Sequence, residues 1–150
     1  MAIQNFKLVS EFQTIHRRPF TLAAPALLNP NNANPLLDGE FLELDAAYKM
    51  ARGTGTPAAV PSFAYFAERG RYEVQAIQKG PFLYMGDYEA DTLIMTATGI
   101  TLGEALEVST TPIATIDKRG LVQYTAGYIV GYATRLPANN NGFLRFIRTG

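Results

Sequence analysis

Nine prolines and thirteen glycines cut this 150-residue chain into short runs. No segment sustains a 3.6-residue apolar period for more than about three turns. What survives between the breaks is short, β-branched or aromatic, and often alternating. Residues 40–48, EFLELDAAY, set Phe41, Leu42 and Leu44 against Glu43 and Asp45. Residues 62–67 put Phe63, Tyr65 and Ala67 on one face, and residues 71–77 alternate Tyr72, Val74 and Ala76 with Arg71, Glu73 and Gln75. These are half-buried strand patterns, with Glu68-Arg69-Gly70 as the hairpin turn between the last two. Further strands are expected over 82–85, 88–96, 112–117 and 142–147. Residues 100–108 fit a short helix or a strand, and Lys79-Gly80-Pro81 reads as a junction. Turns fall at 52–61, 117–120 and 137–142. The 16-residue run 121–136 carries Gly127 and Gly131 inside a strand pattern, which suggests bulges or close backbone approach. The expected fold class is all-β: a small β-barrel, β-tulip or sandwich.

The first third is different. Residues 1–18 are weakly patterned. Residues 19–38, PFTLAAPALLNPNNANPLLD, contain four prolines and the cluster Asn29, Asn31, Asn32 and Asn34. Proline fixes φ and removes a ladder donor, so a long helix and a central strand are both excluded. Yet Phe20, Leu22, Leu27, Leu28, Leu36 and Leu37 are too apolar for a disordered linker. The segment reads as an extended N-terminal arm, 1–38, ahead of a β-barrel-like domain, 39–150. Its apolar residues dock on the parent domain or on a neighbour.

Composition bounds the function. Lys+Arg and Asp+Glu both number 13, for a formal net charge of +0. A protein that holds nucleic acid by its phosphates carries a basic excess, so neither nucleic acid nor an anionic membrane is an expected partner. Neutrality and a charged fraction of 17% favour association. No cysteine is present, which excludes thiolate chemistry. The start lacks a signal-peptide pattern and no apolar run reaches the ~18 residues of a span; synthesis in the cytoplasm is expected.

Catalytic material is scarce. His16 is the one histidine, beside Arg17 and Arg18, and Ser10, Ser62 and Ser109 lie outside any G-x-S-x-G pattern. Asp87, Glu89 and Asp91 would share a strand face. They offer oxygen ligands for a hard cation, or with Tyr88 a small sugar- or metal-binding module, but a solvated strand face is the commoner outcome of such a pattern. Glu40, Glu43 and Asp45 form a second acidic group, without the tryptophan that sugar platforms use. Gly53 and Gly55 match half of a nucleotide loop. The expectation is no enzyme and no cofactor. Charges are also segregated: the charged residues of 87–107 are all acidic, and those from Lys118 onward, Lys118, Arg119, Arg135, Arg145 and Arg148, are all basic. Two such stretches either pair within the fold or join subunits.

The C-terminal half, TLGEALEV, a turn and short strand, G-x-V-x-Y, then YIVGYATRLPANNNGFLRF, resembles the small capsid decoration, or cement, proteins of tailed bacteriophages. Residues 34–53, NPLLDGEFLELDAAYKMARG, resemble the early region of such head proteins. The resemblance lies in strand rhythm over about two-thirds of the chain and involves no diagnostic motif. It implies a virion structural protein on the capsid exterior, a homodimer or homotrimer that clamps major capsid protein subunits. The protein-interface residues expected on this view are Phe20, Leu22, Leu27, Leu28, Leu36, Leu37, Arg145 and Arg148. Removing residues 1–37 is then expected to leave a folded β-domain that no longer assembles. A tail-tube or head–tail connector role is the alternative, with 121–136 as a long hairpin and Gly127 near its apex.

Overall fold

The computed structural model describes residues 5–11, 16–29, 31–53, 61–66, 79–85 and 87–148. Eleven strands appear among them, with two single turns of 3-10 helix at Pro25–Leu28 and Pro137–Asn139. In chain order the strands are β1 Phe6–Glu11, β2 His16–Thr21, β3 Phe41–Leu44, β4 Met50–Ala51, β5 Ser62–Ala64 and β6 Lys79–Met85. They continue as β7 Tyr88–Thr92, β8 Ala105–Val108, β9 Leu121–Gln123, β10 Gly131–Arg135 and β11 Leu144–Arg148. The protein is all-β.

Six strands form one antiparallel sheet in the order β1-β7-β11-β10-β8-β9. Its two outermost strands do not pair, so no barrel closes. A second layer is made of β4-β3-β5 and β2-β6, joined by a bridge between Tyr65 and Phe82. Between the layers lies the first core, with Phe6, Tyr88, Leu106, Leu144 and Phe146 from the six-stranded sheet and Phe41, Ala64 and Leu83 from the second layer. Phe146 sits at its centre, with ring centroids of Phe6, Phe41 and Tyr88 at 6.3, 6.4 and 6.1 Å. Of the expected alternatives, the sandwich is the one observed.

The second layer is buried on both faces. Side chains alternate along a strand, so Phe41 faces the first core and Leu42 a second one; Leu83 and Phe82 divide in the same way. The second core is completed by Phe20, Leu22, Leu28 and Leu36, from the proline- and asparagine-rich segment. That segment is a strap. It bridges in parallel to Met50 through Leu22, and Ala23 N donates to Met50 O at 2.9 Å. Pro25 starts the 3-10 turn, where its missing N–H leaves no partner unmet. The asparagines then act as side-chain turns: Asn31 N donates to Asn29 Oδ1 and Asn34 N to Asn32 Oδ1, both at 2.9 Å. Leu36 N closes onto Leu27 O at 2.9 Å.

Several expectations change. Of the expected arm, the described residues 5–11, 16–29 and 31–38 supply an edge strand of the large sheet, β2 and the strap, so they are integrated into the body. Removing 1–37 would strip β1 and uncover the second core, so the truncated chain is expected to lose stability along with any assembly. Gly80 and Pro81 lie within β6, not at a junction, and Pro81 faces Pro19 across the pair, where neither has an N–H to offer. Residues 105–108 resolve as strand. Residues 112–117 are not a strand: turns fold them back so that Ile113 bridges Lys118, with Asp117 at φ 57°. β9 and β10 both pair with β8 and not with each other, so 121–136 is no hairpin. The expected strand at 71–77 and the turn at 68–70 lie outside the described residues, as does most of the 52–61 loop.

Candidate functional site

Glu40 organises the polar cluster that pins the strap. Gly39 precedes it at φ +91°, donating its N–H to Tyr65 O at 2.8 Å, and a Cβ there would lie 2.8 Å from the Phe6 side chain. Only glycine takes this turn at that separation. Glu40, 1% exposed, then meets Arg52: Nε to Oε1 is 2.6 Å and Nη2 to Oε2 is 3.3 Å. Arg52 Nη2 also donates to Pro35 O at 3.4 Å, and Leu37 N to Glu40 Oε2 at 3.4 Å. Buried Lys118 donates to Asn34 Oδ1, and Asn34 Nδ2 to Asp117 Oδ2 at 3.1 Å. Burial raises the Glu40 pKa, against the pull of the Arg52 hydrogen bond and the Arg52 and Lys118 charges. Burial lowers the Lys118 pKa, against the attraction of Glu40. A buried network in which each member has a partner specifies one arrangement of chain.

The acidic residues expected to gather do not converge. Asp91 accepts from Arg145 at 2.8 and 3.1 Å and from Asn140 Nδ2 at 3.0 Å. Burial works to raise its pKa, but the Arg145 and Asn140 hydrogen bonds outweigh it and the pKa is lowered. Thr134 Oγ1 donates to Glu89 Oε2 at 2.8 Å across β11. Among the described residues, no three His or carboxylate side chains gather to hold a metal ion. Glu43 and Asp45 diverge as well. Glu43 acts on Arg119, and Asp45 Oδ1 accepts from Ala47 N and Lys49 N at 2.8 and 3.0 Å. Gly53 makes room for Arg119, whose guanidinium occupies the position a Cβ would need; Gly55 lies outside the described residues.

Of the expected interface residues, Phe20, Leu22, Leu28 and Leu36 are buried in this chain's own second core, and Leu27 packs against it. Leu37 is half-buried beside Glu40. Arg145 pairs with Asp91 within the fold, so this acidic–basic pair joins strands, not subunits. Arg148 is 3% exposed. The backbone of His16 opens β2. Ser62 is buried with its carbonyl accepting from Arg148, and Ser109 Oγ accepts from Gly120 N at 3.2 Å.

One exposed feature escaped sequence reasoning. The turn between β3 and β4 is held by Asp45, whose N donates to Lys49 O at 2.9 Å while its carbonyl accepts from Tyr48 N at 3.0 Å. Tyr48 takes φ 60° and is 82% exposed. A bulky residue in left-handed backbone is an outlier that packing normally explains; here the ring points to solvent. The signal available beforehand was D-x-x-Y between two strands, too short to separate from any hairpin. No protein-family model, curated protein or solved structure matches this chain.

Proposed function

We propose that this protein is a non-catalytic binding protein of the phage-decoration type, which attaches to the outside of an assembled shell and braces contacts between capsid subunits. The virion part of this reading rests on the resemblance in strand rhythm. The observation that carries the binding part is Tyr48: an exposed aromatic, held in strained backbone at the tip of a hairpin whose turn is locked by Asp45. Tyrosine supplies large contact area at low entropic loss and is enriched among residues that dominate interfaces. In keeping with this, the ionisable side chains Glu40, Arg52, Asp91 and Arg145 are engaged with one another and hold the fold together. These observations support the β3–β4 tip as the proposed contact, with the strap packed behind it through Leu22 and Met50.

The test is co-sedimentation of the purified protein with shells that lack it. Tyr48→Gly removes both the ring and the strain, so the variant is expected to be at least as stable as the parent while binding at least ~10-fold more weakly, the effect of losing one aromatic anchor. Unchanged binding by Tyr48→Gly rejects the tip as the contact. No sedimentation of the parent with any shell rejects the decoration reading itself.

A further inference from the structure

The Lys118 amine and the Asn34 carboxamide meet although 84 positions of chain separate them. Lys118 is 4% exposed, and its carbonyl accepts from Ile113 N at 2.8 Å at the close of a tight turn. Its Nζ lies against Asn34 Oδ1, one bond from the carboxamide carbon. The other end of that carboxamide is held as well: Nδ2 donates to Asp117 Oδ2 at 3.1 Å. Both backbones are fixed. Asn34 N donates to Asn32 Oδ1 at 2.9 Å, Pro35 O accepts from Arg52 Nη2 at 3.4 Å, and Asp117 N donates to Ile113 O at 2.7 Å. A buried amine, a carboxamide and a carboxylate thus stand in a row, each touching the next.

The surroundings favour reaction over a static hydrogen bond. Burial lowers the Lys118 pKa and so favours the neutral amine, which is the nucleophile. Burial raises the pKa of Glu40, whose carboxylate acts on the Lys118 charge and can take up the ammonium proton. Asn34 is followed by Pro35, whose nitrogen carries no hydrogen. The common competing loss of an asparagine carboxamide, cyclisation onto the next backbone N–H, is therefore closed at this position. We propose that Lys118 and Asn34 join within the folded protein through an isopeptide bond, with Asp117 relaying the proton. The amine adds to Asn34 Cγ and the Nζ–Cγ bond forms. Asp117 takes a proton from Nζ and passes it to Nδ2, the Cγ–Nδ2 bond breaks, and ammonia leaves, carrying off the proton first held by Glu40. One amide replaces another, so nothing is oxidised or reduced and no co-reactant enters. Contact imposed by the fold makes the step unimolecular. The bond would tie the strap covalently to the turn ahead of β9. This inference is independent of the capsid reading.

The experiment is intact-mass spectrometry of the purified full chain, followed over time in the folded state, with tandem mass spectrometry of its proteolytic peptides. The parent is expected to become lighter than its sequence by one ammonia and to yield a branched peptide that joins Lys118 to Asn34 and resists trypsin after Lys118. Lys118→Arg and Asn34→Ala are expected to keep the full sequence mass and to give no branched peptide. Asp117→Asn retains a left-handed turn that asparagine tolerates, so it should fold, yet form the bond at least ~100-fold more slowly for want of the relay. The parent's own mass decides even should a variant fail to fold. A parent still at full sequence mass after prolonged incubation overturns the proposal, as does an ammonia loss that persists in Lys118→Arg or maps to another asparagine. Linkage by Asp117→Asn at the parental rate overturns the role given to Asp117.

Discussion

Glu40 is held by two opposed effects whose balance can be read out through pH. The side chain is 1% exposed, and the ionised form is disfavoured by burial and favoured by Arg52 and Lys118. The net effect is a pKa above the ordinary 4.5. A raised carboxylate pKa means that folding favours the protonated acid. Above the folded pKa the buried anion weakens the protein, and that penalty fades as pH falls towards the unfolded value. Two substitutions separate the contributions. Glu40→Gln keeps the shape and removes the charge, so its cost at neutral pH is small, within about 1 kcal/mol, and the parent gains on it as pH falls below neutral. Glu40→Ala removes the acceptor as well. It leaves Lys118 buried and Arg52 a quarter exposed, and the expected loss is about 3 kcal/mol. That is the low end for breaking a buried pair, because Arg52 still reaches water. Urea unfolding of parent and variants between about pH 4 and 8 measures both. If the parent instead loses stability relative to Glu40→Gln as pH falls, the ion pair outweighs burial and the reasoning is refuted.

Asp91 has the opposite sign. Its lowered pKa means stability that is present above the ordinary 3.8 and lost as pH falls through the folded value. Asp91→Ala is expected to cost about 1–2 kcal/mol, discounted because Arg145 is a quarter exposed, and to flatten the acid limb of unfolding. Leu22→Ala, at a fully buried position where the strap meets β4, should cost about 2–5 kcal/mol in chemical denaturation; a loss under ~1 kcal/mol would mean that the strap is not part of the core. Gly39→Ala combines positive φ with a 2.8 Å approach to Phe6 and should cost more than ~1 kcal/mol, read as a lowered urea midpoint.

Sequence alone determined the class of fold and several of its strands. Prolines and glycines excluded long helices, and alternation or aromatic density marked β3, β5, β7 and β11. Local patterns report which residues want burial, and that was enough to see that the apolar residues of 19–38 had to dock. What they dock on is a non-local fact. The strap covers the second layer because β3 and β6 expose apolar side chains on both faces, Phe41 with Leu42 and Phe82 with Leu83. Burial on both faces erases the alternation by which a sequence announces a surface. The weakly patterned start became β1 and β2 through pairing with partners some eighty and sixty residues away. The segregated charges were legible, but the Asp91–Arg145 bond follows from cross-strand register. Tyr48 and Arg148 were decided by tertiary structure altogether: one is turned out by a locked hairpin, the other enclosed between two layers. Neither position has a local pattern that distinguishes exposure from enclosure, because each depends on what the rest of the chain brings beside it.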